Sequence, residues 1–185
     1  MKSFRINKTN LPVILFIILI GLTTGLGLSW RSFGQLAPET VLLIPAGQLD
    51  RQNARLEQKL EDDTDDLKAM VTAGLLYYRK GSKFYAAALN YLHRASQSGA
   101  FNLHIPYYSG LIYEELKLDD YAIREYNRYL RNRPNDSYLR MRLGNIYYRA
   151  NQLDNAIDQY EILYSQNPLS EDVMFNLAMA YQKKG

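Results

Sequence analysis

A spacing of 34 residues runs through the second half of this chain and limits what it can become. Asp119-Asp120-Tyr121-Ala122-Ile123-Arg124-Glu125-Tyr126 returns as Leu153-Asp154-Asn155-Ala156-Ile157-Asp158-Gln159-Tyr160. Pro134 follows the first copy and Pro168 the second, while Gly110 and Tyr113 recur upstream as Gly144 and Tyr147. A period of this length corresponds to one helix–turn–helix unit, which buries its apolar face only by stacking on its neighbours. The expected fold is therefore all-α, a solenoid of helix pairs.

Read outward from these copies, units cover residues 67–100, 103–134 and 137–168. Each has a helix A, with Gly110 or Gly144, and a helix B, with Ala122 or Ala156. The missing bulk lets two axes approach to about the lower end of the 8–10 Å range, and tyrosines fill the space beside them. Pro134 and Pro168 end helix B, because proline cannot continue the hydrogen-bond ladder. The first unit is degenerate. Gly74 and Tyr77 begin it, Tyr85, Ala88, Leu92 and Ala95 continue it, and its internal turn is longer by one or two residues. Glu171 to Gly185 matches a helix A alone, with Leu177, Ala178 and Tyr181 in register. It reads either as a closing helix over the last apolar face or as the start of a further unit.

On these residues the chain resembles the tetratricopeptide repeat (TPR) family over 67–185, and its longer first unit is similar to the Sel1-like relatives. The resemblance implies a scaffold or adaptor that binds peptides or partner domains in a groove lined by the A helices. Helical periodicity places Val71, Leu75, Tyr78, Tyr107, Leu111, Glu114, Met141, Asn145, Tyr148, Phe175 and Met179 on that face. The groove of chaperone adaptors clamps an acidic C-terminus with Lys, Arg and Asn. Here those places are mostly apolar or aromatic, with Arg142 and Asn145 the only echoes, which argues against a carboxylate clamp. Tyr107 and Tyr148 have two readings, anchors for a partner or packing between units.

Ahead of the repeats, 1–10 is a basic segment, 11–30 an apolar span and 31–66 a connector. Leu11 to Trp30 is 20 residues without a charge, about 30 Å as a helix, enough to cross a bilayer. The alternative is a cleaved signal peptide, but the run is long and no clear cleavage site follows it. Lys2, Arg5 and Lys8 precede the span and only Arg31 closely follows. Positive charge stays inside, so a single-pass protein with a cytoplasmic N-terminus and repeats outside the cytoplasm is expected. Gly21, Gly25 and Ser29 share one face of the span, a candidate contact for homodimerisation. In the connector, residues 49–63 favour a helix with a stripe of Leu49, Leu56 and Leu60. The acidic run Glu61-Asp62-Asp63 and Asp65-Asp66 lacks the spacing of a calcium loop and suits a helix start.

Charge and composition exclude other classes. The net charge of +3 belongs to the N-terminus: beyond residue 31 the chain holds 18 basic and 19 acidic residues. A near-neutral repeat region gives no footprint for nucleic acid. There is no cysteine, and His93 and His104 lie in different units with no nucleophile at a motif spacing. No cofactor, metal or catalytic residue is expected. The expected function is a membrane-anchored, non-catalytic scaffold that binds a protein or peptide partner. The alternative is a subunit or assembly factor of a membrane complex, in which the transmembrane helix is itself an essential contact.

Overall fold

In the computed structural model, the structure describes residues 41, 44–99 and 102–185. The span 11–30, with Gly21, Gly25 and Ser29, lies outside the described residues. Among the described residues there is no strand, and no helix is long and apolar enough to cross a membrane. Among the described residues these α-helices follow one another: α1 Leu49–Asp62, α2 Leu67–Arg79, α3 Tyr85–Gln97, α4 His104–Glu115, α5 Asp119–Leu130, α6 Ser137–Arg149, α7 Leu153–Gln166 and α8 Glu171–Lys184. The three units of the repeat are the pairs α2–α3, α4–α5 and α6–α7, each closely packed, with α8 lying on α7 and touching α6.

Side-chain volume at the crossings sets how close the pairs come. A Cβ built on Gly110 would lie 2.5 Å from the ring of Tyr126, and one on Gly144 would lie 2.6 Å from that of Tyr160. Tyr126 and Tyr160 are 0% and 1% exposed. The repeated tyrosine of helix B thus lies directly over the glycine of helix A. In the first unit Leu92 takes the tyrosine's place, 2.7 Å from a Cβ on Gly74. There the longer internal turn is a 3-10 segment, Ser82–Phe84, inserted ahead of α3.

The turns within the second and third units share one device. Lys117 and Asn151 have φ of 60° and 59°, in the left-handed region. Each follows its A helix so that the next N–H reaches back five residues: Leu118 N to Tyr113 O at 2.9 Å and Gln152 N to Tyr147 O at 2.8 Å. These closures satisfy carbonyls that the helix end would leave open. Two of the A helices, α2 and α6, open on an aspartate cap. The Asp66 carboxylate accepts from Ala69 N at 2.8 Å, and that of Asp136 from Leu139 N at 3.0 Å.

The connector contains one element the repeat pattern does not announce. α1 starts 70 residues before α5, and α2 the same distance before α6. Leu56 and Leu60 are buried where α5 has Tyr126 and Leu130, and Lys59 bonds the Asp66 cap where Tyr129 bonds the Asp136 cap. α1 therefore packs on α2 in the register of a helix B. Tyr77 donates to Glu57, and Lys80 pairs with Asp50 at 2.7 Å. Leu56 in place of tyrosine and Gln52 in place of alanine remove the sequence signature.

Candidate functional site

The residues assigned to the A-helix face divide sharply by exposure. Val71, Leu75 and Leu111 are 0%, 1% and 6% exposed, so they are core and offer a partner no surface. α2 is buried almost all round from Ala69 to Leu76, which a one-face reading of its periodicity misses. Tyr78, Tyr107, Glu114, Met141 and Tyr148 are half-buried, and Asn145, Phe175 and Met179 are exposed.

The polar members are committed to contacts within and between units. Glu114 Oε2 accepts from Tyr126 Oη at 2.6 Å and from Arg142 Nε at 2.8 Å. That pins α4 to its own helix B and to the next helix A. Arg142 continues to the Tyr138 hydroxyl at 2.7 Å. Burial alone would lower the affinity of the Arg142 guanidinium for its proton, but Glu114 more than reverses this and raises it. Asn145 Oδ1 accepts from Tyr160 Oη at 2.8 Å. Lys183 of α8 sits 4.6 Å from the centre of the Tyr148 ring, and Asn176 Nδ2 is 3.5 Å from Met141 Sδ.

Tyr78 and Tyr107 are joined through a residue sequence reasoning passed over, Tyr108. Their rings lie 5.3 and 5.0 Å from that of Tyr108, and Tyr107 is 5.4 Å from Tyr129. Tyr107, Tyr108 and Tyr129, with Leu103, His104 and the turn to Asp136, line a cleft of about 790 Å³. The cleft opens between the start of α4 and the end of α5. Its one legible signal is the aromatic spacing Tyr107, Tyr108, Tyr129 beside Pro134. Tyr129 belongs to helix B, outside the helix A face that periodicity selects.

The remaining titratable groups do not assemble chemistry. Among the described residues no group of His, Asp and Glu could hold a metal ion. The His104 ring stacks 6.2 Å from Tyr108, and the His93 Nε2 lies 3.0 Å from the Gln97 amide nitrogen. Glu125 stands apart. Its Oε2 makes no hydrogen bond beside a void of about 40 Å³ between α3, α4 and α5. Arg128 is 3.7 Å away, and burial raises the pKa of the Glu125 carboxyl. A carboxyl that holds its proton more tightly when folded loses stability as pH rises above the ordinary glutamate value. Glu125→Gln is therefore expected to raise Tm by roughly 2–4 °C at neutral pH. The gain should vanish near pH 3, where the carboxyl is protonated folded or unfolded. Melts of both proteins across that range test this, and a pH-independent difference would contradict it.

Helix pairs in tandem, closed by a small residue under an aromatic, define an α-solenoid of helix–turn–helix repeats. The family model for the tetratricopeptide repeat matches residues 71–137 and 141–185, and the chain belongs to that family. Among solved structures it is similar to YrrB, described as a TPR protein with an unusual peptide-binding site. The TM-score is 0.69 at 24% identity, covering 91% of this chain and 83% of that one. It is also similar to MamA AMB-1, with TM-score 0.70 and 22% identity over 84% of this chain and 80% of that one. These likenesses show the shared fold. No curated protein matches it.

Proposed function

We propose that the chain is a non-catalytic scaffold that binds a protein or peptide partner on the A-helix face. In this reading residues 11–30 hold it in a membrane, N-terminus cytoplasmic and repeats on the other side. The observation that carries the binding role is the accessible apolar series on consecutive A helices. Tyr107, Met141, Tyr148, Phe175 and Met179 remain in reach of solvent, while the one acid of the series, Glu114, is neutralised by Arg142. Stiff aromatics beside adaptable thioethers suit apolar anchors of a partner. The peptide-binding description of YrrB accords with this use of the fold.

A photo-crosslinking residue placed in turn at Tyr107, Tyr148 and Arg124 of the membrane-bound protein tests the surface. The first two positions should capture the same partner and the third should not. Tyr148→Ala should weaken that partner by about 1 kcal/mol or more. Capture from Arg124 alone would move the site to the helix B side. Exchanging residues 11–30 for an unrelated span separates a tether, which still works, from the alternative of a complex subunit whose span is a contact. Protease added outside intact cells should reach the repeats, and protection would reverse the proposed orientation.

A further inference from the structure

We infer that the cleft between the start of α4 and the end of α5 takes a proline-rich, extended segment of a partner protein. The inference deepens the scaffold reading and rests on it. Three features of the cleft lead there.

The first is the arrangement of rings. Tyr107 meets the buried Tyr108 at an interplanar angle of 74° and Tyr129 at 56°, so two half-buried rings, Tyr107 and Tyr129, stand at an angle to one another with Tyr108 behind Tyr107. Pyrrolidine rings pack flat on such faces, and a left-handed polyproline helix presents them at intervals of three residues. At about 790 Å³ the cleft admits several such residues.

The second is rigidity. The far wall is the turn Pro134–Asp136, and three helices fix it. Tyr129 Oη donates to Asp136 Oδ2 at 3.0 Å, and Asp136 Oδ1 caps α6. Arg140, only 8% exposed, reaches the Pro134 carbonyl and holds Gln159 Oε1 at 2.8 Å. A preformed wall and a ligand already stiff in its bound shape both lower the ordering cost of association.

The third is charge and hydrogen bonding. The lining carries one guanidinium, Arg133, and one carboxylate, Asp136, whose two oxygens each already accept a bond. That balance favours a neutral ligand over a strongly basic or acidic one. Burial, with the bond to Asp136, pushes the Tyr129 hydroxyl up to about 12, and burial raises that of Tyr107. Both stay neutral at physiological pH. Asn135 brings an amide donor to the rim, as does Asn132, whose Nδ2 also donates to the Arg128 carbonyl at 3.2 Å. A polyproline segment supplies carbonyls without internal partners and few N–H groups, which is what such a rim can satisfy.

The test uses the full chain in detergent and three fluorescein-labelled peptides followed by anisotropy. One is proline-rich and uncharged, the second is the same sequence with every Pro replaced by Ala, and the third is an amphipathic helix with Leu and Phe anchors. The proline-rich peptide should bind at least about tenfold more tightly than its alanine version, and added salt should change this little. Tyr107→Leu, which keeps apolar bulk but removes the ring face, should weaken it about fivefold or more. Tyr129→Phe, which keeps the ring, should hold affinity within about twofold. Circular dichroism accompanies each variant. If the helical peptide binds, loses affinity in Tyr148→Ala, and the proline-rich one does not bind, this inference falls while the scaffold reading stands. Steep loss with salt, or equal binding of the Pro and Ala versions, also overturns it. If none of the three binds, both readings fail.

Discussion

Gly144→Leu is expected to cost about 3 kcal/mol or more and to lower Tm by roughly 6–12 °C. A new Cβ would lie 2.6, 3.0 and 3.1 Å from Cε1, Cδ1 and Cζ of Tyr160, so the clash is with the body of a ring. The ring cannot swing aside, because it is 1% exposed and its hydroxyl is bonded to Asn145 at 2.8 Å. Gly110→Leu should behave alike, since Tyr126 is fully buried and held by Glu114. Thermal melts followed by circular dichroism measure both, with exposed Arg131→Ala as the neutral control. Sequence alone would offer Arg149 for that control, as a residue of an outer face. In the structure Arg149 Nε is 3.0 Å from Asp119 Oδ2 and its Nη2 meets Oδ1, a forked pair joining α6 to α5. If Gly144→Leu melts with the wild type, the A–B contact is not where it has been placed.

Glu114→Ala should be nearly as damaging, on the order of 2–4 kcal/mol. It removes the acceptor of a buried tyrosine hydroxyl and the counter-charge of a guanidinium whose side chain is 28% exposed. Glu114→Gln, which still offers an oxygen to Tyr126, should recover part of the loss. A double-mutant cycle of Glu114→Ala with Arg142→Ala should give a coupling of about 1–2 kcal/mol. A coupling near zero would mean that the bridge between units contributes nothing and that packing alone joins them.

How far the chain could be read beforehand depended on whether a residue's role is local or shared. The helices of the repeats follow from glycine, alanine and proline at fixed spacing, because those residues act through backbone approach and termination. The all-α repeat fold was legible for that reason, and α1 buries the stripe Leu49, Leu56 and Leu60. That this helix takes the place of a helix B was not legible, since Leu56 fills by packing a position that tyrosine fills elsewhere. The groove was less visible still. Periodicity assigns a face but does not say what covers it, so Val71, Leu75 and Leu111 read like Met141 and Tyr148 although they are core. Glu114 read as an acid in a groove because its partners, Tyr126 and Arg142, come from two other helices.

The glycine-on-tyrosine contact also decides how an array of this kind can change length. Gly110 meets Tyr126 and Gly144 meets Tyr160, each pair inside one unit, whereas Glu114–Arg142 and Asp119–Arg149 run from a unit to the next. A duplication or loss of a whole unit carries both halves of the inner contact with it and presents the same outer positions to its neighbours. A gain or loss of half a unit would set a bare glycine against no ring, or a ring against a side chain that has no room for it. Growth by whole modules is therefore built into where the bulk was removed.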